Sequence, residues 1–301
     1  MKKFLFTILL LVGFHTILPS QPTAAPSIPE SILFCGESID LTRYDMRERF
    51  DREQLAFMYM HSSSIQLVKR ANRYFPIIEP ILKKHGVPDD IKYLAVIESN
   101  LDPLAQSPAR AAGIWQFLPT TGKDYGLEVN DEIDERYHVE KATEAACKYL
   151  LAAYAKFGDW ATTCASYNIG QARISKERMR QSVQSSFDML LVSETTRYVY
   201  RILAAKQFLE NPSAFNFSFT KATFYHTVRT KDVAVNYSVS SWAEWAKNQG
   251  INYSMLRYYN PWIRSNELNS QGKMYQVRIP LKEDLNFDIN KVHVHNPNWV
   301  K

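Results

Sequence analysis

In the stretch YLAVIESNLDP, residues 93–103, a single carboxylate, Glu98, shares a helical stripe with apolar residues. Ile91, Leu94, Ala95 and Glu98 fall at i, i+3, i+4 and i+7, so the Glu98 side chain is expected to face the interior. Tyr93, Val96 and Ile97 make the remaining faces apolar as well, which suits a helix buried on most sides. Burial disfavours the charged form of a carboxyl group, and a place near a helix C-terminus adds the negative end of the dipole, so both effects raise its pKa. Such a group can act as a general acid near neutral pH. A glutamate held by structural hydrogen bonds would leave the same pattern, and on this stretch alone both readings stand.

Residues 105–127, AQSPARAAGIWQFLPTTGKDYGL, supply Gly113 for close backbone approach, with Trp115 and Gln116 as a stacking plane and an amide. A groove for a sugar chain uses such groups, whereas Phe117 reads as core. Trp160, Thr163, Cys164 and Tyr167 repeat the helical stripe. Tyr167 therefore faces inward with a hydroxyl that needs a partner, and Glu98 is the candidate. Asn168 and Gly170 end that helix. Asp102, Asp124 and Asp134 are alternatives for a second acid, although Asp102 before Pro103 is a turn residue and Asp134 beside Arg136 an ion pair on the simplest reading. His293-Val294-His295 lacks a third metal ligand, and no cofactor is expected.

Pro88-Asp89-Asp90 starts the helix that carries Glu98. Helices are expected near 45–60, 62–85, 88–99, 115–125, 140–156, 159–168 and 194–210, with Phe157-Gly158-Asp159 as a turn between two of them. Alternation through FNFSFTKATFYHTVR, residues 215–229, predicts strands, with a boundary near Asn211-Pro212. The domain plan is then a leader over 1–25, a helical domain over 26–215, a compact α/β unit over 222–281 and a polar tail over 282–301. Of the three cysteines, Cys147 and Cys164 are expected as two buried thiols rather than a bridge, because they sit at different heights on their helices.

The 301 residues are 46% hydrophobic and 22% charged, as in a globular protein. A net charge of +5 is spread among interspersed signs without a basic stripe, so no nucleic-acid partner is expected. Two lysines, an apolar run and then small residues give the N-terminus the layout of an export signal. That places the protein in the periplasm or cell envelope, and association with the outer membrane stays open although no cysteine directly follows the apolar run.

Three motifs, Glu98-Ser99, Gly113-Ile114-Trp115-Gln116 and Ala165-Ser166-Tyr167-Asn168, taken in this order and spacing, resemble the catalytic motifs of lytic transglycosylases with a goose-lysozyme-like fold. The resemblance implies a mainly α protein, with a lysozyme-like helical catalytic domain followed by a small α/β module. It implies peptidoglycan glycan strands as partner, and cleavage of the β-1,4 bond between N-acetylmuramic acid and N-acetylglucosamine without net addition of water. Glu98 would act as acid and then as base, leaving a 1,6-anhydro ring. Ser99 would orient the reacting sugar, Gly113, Ile114, Trp115 and Gln116 would shape the cleft, Tyr167 would hold Glu98, and Asn168 would support Tyr167. Glu194, Thr195, Arg197 and Tyr198 match the closing segment of the family, with Tyr198 either at the cleft edge or packed on the catalytic helix. A lysozyme-type hydrolase, which needs a second carboxylate, and a non-catalytic wall-binding protein are the rival readings. YHTV at 225–228, WAEWAKNQGINYSMLRYYNP at 242–261 and VRIP at 277–280 resemble a LysM module, which departs from its pattern at TKDVAVNYSVS, residues 230–240.

Overall fold

The structure is a computed structural model and describes residues 25–300. Apart from Ala25, the leader expected over 1–25 lies outside the described residues. Strands β1 (Ser31–Phe34) and β2 (Glu37–Asp40) form an antiparallel hairpin. Its turn has positive φ at both Cys35 and Gly36, the conformation that matches strand twist in a two-residue loop. Four-residue strands leave too short a run for alternation to show, and sequence reasoning missed them.

Helices α1 (Tyr44–Tyr59) and α2 (His61–Lys84) follow. On α2 the buried residues Ser64, Leu67, Val68, Ala71, Phe75, Ile78 and Leu82 form one stripe of helical period, which lays the helix across the core. A 3-10 turn, Asp89–Ile91, leads into α3 (Lys92–Ser99), the helix of Glu98. Helix α4 (Pro119–Asp124) is all that forms of the helix expected over 115–125, because residues 113–116 make a tight turn instead. Helices α5 (Val139–Phe157) and α6 (Trp160–Ile169) meet at the expected turn, where Gly158 takes a left-handed φ of 77° and Asp159 caps α6 by accepting from the Thr162 N–H at 2.7 Å. Helix α7 (Gln171–Gln181) was not expected; it buries only Ile174. Helix α8 (Ser193–Glu210) packs against α1, α3 and α6. Among the described residues no helix is long and apolar enough to cross a membrane. Cys147 and Cys164 are buried free thiols.

The strands expected over 215–229 do not form. Phe215, Phe217, Phe219 and Phe224 are all buried in the main core, but through two 3-10 turns and irregular chain. Their alternation records an extended path over a helical surface, not a sheet. The first strand of the C-terminal unit, β3 (Thr230–Val235), begins two residues after the end of YHTV and pairs antiparallel with β4 (Tyr275–Pro280). Between them lie α9 (Trp242–Asn248) and α10 (Tyr253–Tyr259).

The polar tail also belongs to the helical core. His293 O accepts from Asn72 Nδ2, His295 Nε2 lies 3.0 Å from Glu79 Oε1, and buried Trp299 donates to Leu209 O at 2.6 Å. Trp299→Ala is therefore expected to cost about 3–5 kcal/mol, the range for truncating a buried aromatic. A thermal melt within a degree or two of the parent would refute that docking.

Candidate active site

Four elements converge on Glu98. Helix α3 ends one residue after it, as Asn100 and Leu101 both adopt left-handed backbone with φ of 53° and 54°. Non-glycine residues rarely adopt that conformation, and buried Leu101 holds it by packing. The chain thereby leaves the helix abruptly one residue beyond Glu98.

The turn Gly113–Gln116 is fixed by side chains from each motif. Ser99 Oγ donates to Ile114 O at 2.9 Å, Tyr167 Oη donates to Trp115 O at 2.7 Å, and Gln116 Nε2 donates to Gly113 O at 2.8 Å. Three carbonyls in succession are thus held by groups from α3, α6 and the turn itself. Backbone acceptors that are saturated in this way lock the turn and join the motifs into one unit. Gly113 has φ of 77° and lies against the Arg136 carbonyl, where a Cβ would come within 1.8 Å of that oxygen. Arg136 is itself buried; it forms a bidentate pair with Asp134 at 2.9 and 2.7 Å and donates to Arg110 O and Phe117 O.

Trp115 differs from expectation. It is fully buried, and its Nε1 donates to Thr143 Oγ1 at 2.8 Å, so it anchors the turn in the core and offers no stacking plane to a ligand. Ile114 is buried too and contributes its carbonyl.

The partner of Glu98 is also not the expected one. Tyr167 donates its hydrogen bond to Trp115 O, and the hydroxyl that donates to Glu98 Oε1 is that of Tyr198 on α8. Tyr198 is buried behind the carboxyl group, so it packs against the catalytic helix and does not line a cleft edge. Asn168 Oδ1 accepts from Thr195 Oγ1 at 2.7 Å and ties α6 to α8, three residues from Tyr198. Glu194, Tyr198 and Arg201 lie at i, i+4 and i+7 on α8. That spacing puts the three on one face of α8, but it carries no signal that the partner of Tyr198 is Glu98 rather than another group.

Burial pushes the pKa of Glu98 up to about 7; the Tyr198 hydrogen bond and the charge of Arg201 oppose the rise, and Glu194 adds to it. Burial and the Glu98 charge hold both phenols, Tyr167 and Tyr198, well above their ordinary range. The acids considered from sequence are otherwise engaged or remote: Asp102 pairs with Arg70 at 2.7 Å, Asp134 is locked to Arg136, and Asp124 is exposed. Among the described residues no cluster could hold a metal ion. The site can therefore present one proton at a carboxyl group poised to give it up and take it back near neutral pH. Tyr198→Phe removes a bond that favours the carboxylate, so the pKa of Glu98 should rise further and the alkaline limb of the rate profile should move to higher pH, with turnover about tenfold to a hundredfold lower. An unmoved limb would break the link between the two groups.

Residues 75–189 match the transglycosylase SLT domain. The chain carries an SLT domain. Residues 231–283 match the soluble lytic transglycosylase C-terminal LysM-like domain, in register with β3, α9, α10 and β4. Membrane-bound lytic murein transglycosylase D of Escherichia coli (strain K12) is 32% identical over 232 residues, which are 74% of this chain and 49% of that protein. Peptidoglycan transglycosylase gp16 of Escherichia phage T7 is 32% identical over 133 residues, 43% of this chain and 10% of that one. The chain thus spans about half the length of the first relative and a small part of the second. The soluble lytic transglycosylase SLT70 of Escherichia coli, a solved structure, aligns with a TM-score of 0.40 at 22% identity, over 46% of this chain and 24% of its own. The SLT domain holds Glu98, the turn and Tyr167, whereas Tyr198 lies on α8 beyond the matched residues.

The LysM-like unit is docked on the segment that supports the turn. Its core of Trp242, Trp245, Leu256 and Val277 continues into Ala112, Ile133 and Tyr137 of the SLT domain. Asp134 N donates to Trp262 O at 2.8 Å, Arg264 N to Glu132 O at 2.7 Å, and Arg278 pairs with Glu140 at 2.6 Å.

Proposed function

We propose that this protein is a peptidoglycan lytic transglycosylase that cleaves the β-1,4 bond between N-acetylmuramic acid and N-acetylglucosamine without adding water. The observation that carries the reading is a single protonatable carboxyl group, Glu98, with its pKa near 7 and a tyrosine hydroxyl on one oxygen. Murein and peptidoglycan are the polymers named for the relatives at 32% identity. In the proposed reaction Glu98 donates its proton to the glycosidic oxygen as the C1–O bond breaks. The resulting carboxylate then takes the proton of the muramoyl C6 hydroxyl while that oxygen closes on C1. No proton is gained or lost overall, so one group that titrates near the working pH suffices. The hydrogen bond from Tyr198 keeps the carboxylate oriented between the two steps, and the locked Gly113–Gln116 turn, with Ser99 and Asn168, keeps the cleft wall in place. Ordinary glycosidases divide this work between two carboxylates. The charge of Glu194, on the exposed first turn of α8, reaches Glu98, and a hydrolytic reading would assign it the activation of water. The envelope is the proposed site of action, as the substrate and the leader-like N-terminus both require export, and the domain limits of 26–215 and about 230–281 are proposed as the catalytic and wall-directed parts.

Mass spectrometry of fragments released from purified peptidoglycan tests this. Products one water lighter than hydrolysis products are expected. Reducing ends would transfer the role of second acid to Glu194, and absence of release would favour a binding protein.

A further inference from the structure

Residues 125–138 run from α4 to α5 with only the 3-10 turn Glu135–Tyr137 as regular structure, and they carry the carbonyl against which Gly113 is set. Irregular chain of that length is held only by what packs on it. On its inner side the holder is Arg136, whose Nη1 donates to Arg110 O at 2.7 Å and Phe117 O at 2.9 Å, on either flank of the Gly113–Gln116 turn. On its outer side the partners come from the chain between α10 and β4 of the LysM-like unit. Ile133 bridges to Ile263 in antiparallel register, Asn269 N donates to Glu132 Oε2 at 2.8 Å, and the Arg264 guanidinium lies 4.4 Å from the centre of the Tyr137 ring. Asp134 joins the two sides: its N–H goes to Trp262 O at 2.8 Å and its carboxylate accepts from Arg136. Ile133, Tyr137 and Ile263 are buried in one core, so without the LysM-like unit the segment would bare apolar surface and lose the partner of the Asp134 N–H.

We propose that the LysM-like unit is a working part of the catalytic site: through residues 132–136 it sets the position of the Gly113–Gln116 turn, with Ile263 and Arg278 as positioning residues for the reaction at Glu98. The proposal rests on the transglycosylase reading above and gives the second unit a role separate from capture of the wall. Gly113 has no room to move toward Arg136, where a Cβ would meet the carbonyl oxygen at 1.8 Å, and the turn it opens receives Ser99 and Tyr167. Close-packed groups transmit a shift, so movement of the segment reaches the cleft wall. A displacement of about 1 Å far from the chemistry is enough to lower a rate about a hundredfold. Arg278 steadies the far end of the segment, where its Nη2 donates to Glu140 Oε1 at 2.6 Å in the first turn of α5.

Steady-state kinetics on the full chain with a soluble tetrasaccharide prepared from peptidoglycan test the proposal, with amide exchange over residues 112–117 measured alongside. Ile263→Ala, which thins the seam, is expected to lower kcat about tenfold with KM within about twofold of the parent, and to speed exchange in the turn. Val277→Ala truncates a buried residue whose cross-strand partner, Val233, lies inside the unit, and it should leave kcat and exchange as they were. Arg278→Gln should lower kcat about threefold and Arg278→Lys restore it, which decides the matter if Ile263→Ala does not fold. An unchanged kcat in folded Ile263→Ala, or in Arg278→Gln where Ile263→Ala does not fold, would overturn the proposal while the transglycosylase reading stands. Equal losses in Ile263→Ala and Val277→Ala would overturn it as well, by showing general loosening. A rise in KM with kcat unchanged would make the unit a binding module without a positioning role. No release by the parent would remove the transglycosylase reading and this role with it.

Discussion

Glu98→Gln is expected to lower fragment release by about a thousandfold or more, within or above the range for loss of a general acid, while the folded protein becomes more stable at pH 8. The catalytic loss follows because the amide can neither donate a proton to the leaving oxygen nor accept one from the attacking hydroxyl. The gain in stability follows from linkage. The carboxyl group titrates at about 7 in the folded chain against an ordinary value of 4.5, so between these values the native state holds more protons than the unfolded one. Stability therefore falls as pH rises through that window, by ~3 kcal/mol for a shift of this size. Glutamine keeps the shape and the bond to Tyr198 without that penalty. Thermal melts of both proteins at pH 5 and pH 8 should converge at the acid end and separate at the alkaline end. Equal melts at pH 8, or activity near the parent, would show that Glu98 is a surface-like group with no part in the chemistry.

Gly113→Ala is expected to damage fold and site together. The residue sits at φ of 77°, and its missing Cβ is replaced by the Arg136 carbonyl oxygen at 1.8 Å. Any side chain must therefore displace backbone, and the backbone in question is pinned by the buried Asp134–Arg136 pair, with side chains about 9% and 6% exposed. Moving that pair, or leaving one of its charges unmatched, costs about 3–5 kcal/mol. Strain from left-handed backbone at alanine adds roughly 1 kcal/mol. Denaturant unfolding should thus show a loss of several kcal/mol, and what folds should have lost most of its activity, because the carbonyls of Ile114 and Trp115 that receive Ser99 and Tyr167 move with the turn. Gly158→Ala is the control: Gly158 has the same φ of 77° but open space around it, so strain alone is felt there. Equal costs at the two positions would show that the Arg136 contact is relaxed without consequence.

Much of the helical domain was legible because its helices are long and their stripes regular. α2 repeats its buried spacing over more than five turns' worth of sequence, and α5 and α6 carry glycine and aspartate where termini require them. Short elements were not. The β1–β2 hairpin has too few residues for a period, and α7 is nearly all polar, with one buried position. The segment 215–229 shows the opposite failure, a period of two without a sheet. Alternation reports only which residues are buried, and an extended chain on a helical surface buries every second side chain as a strand does.

The site divides in the same way. Sequence alone determined that Glu98 is drawn out of water, because its place among Ile91, Leu94 and Ala95 is a property of local helical geometry; that Gly113 and Tyr167 belong with it was implied there only by the resemblance of the three motifs. Tertiary structure decided which hydroxyl meets the carboxyl group. Tyr167 and Tyr198 both face inward on helices that pack against the centre, and nothing local distinguishes them. The choice depends on the distance between α3 and α8, and on Trp115 turning into the core so that its carbonyl accepts the hydrogen bond of Tyr167. Hydrogen bonds are directional over a few tenths of an ångström, whereas the patterns that can be read from a sequence are those of burial, which is neither directional nor specific about partners.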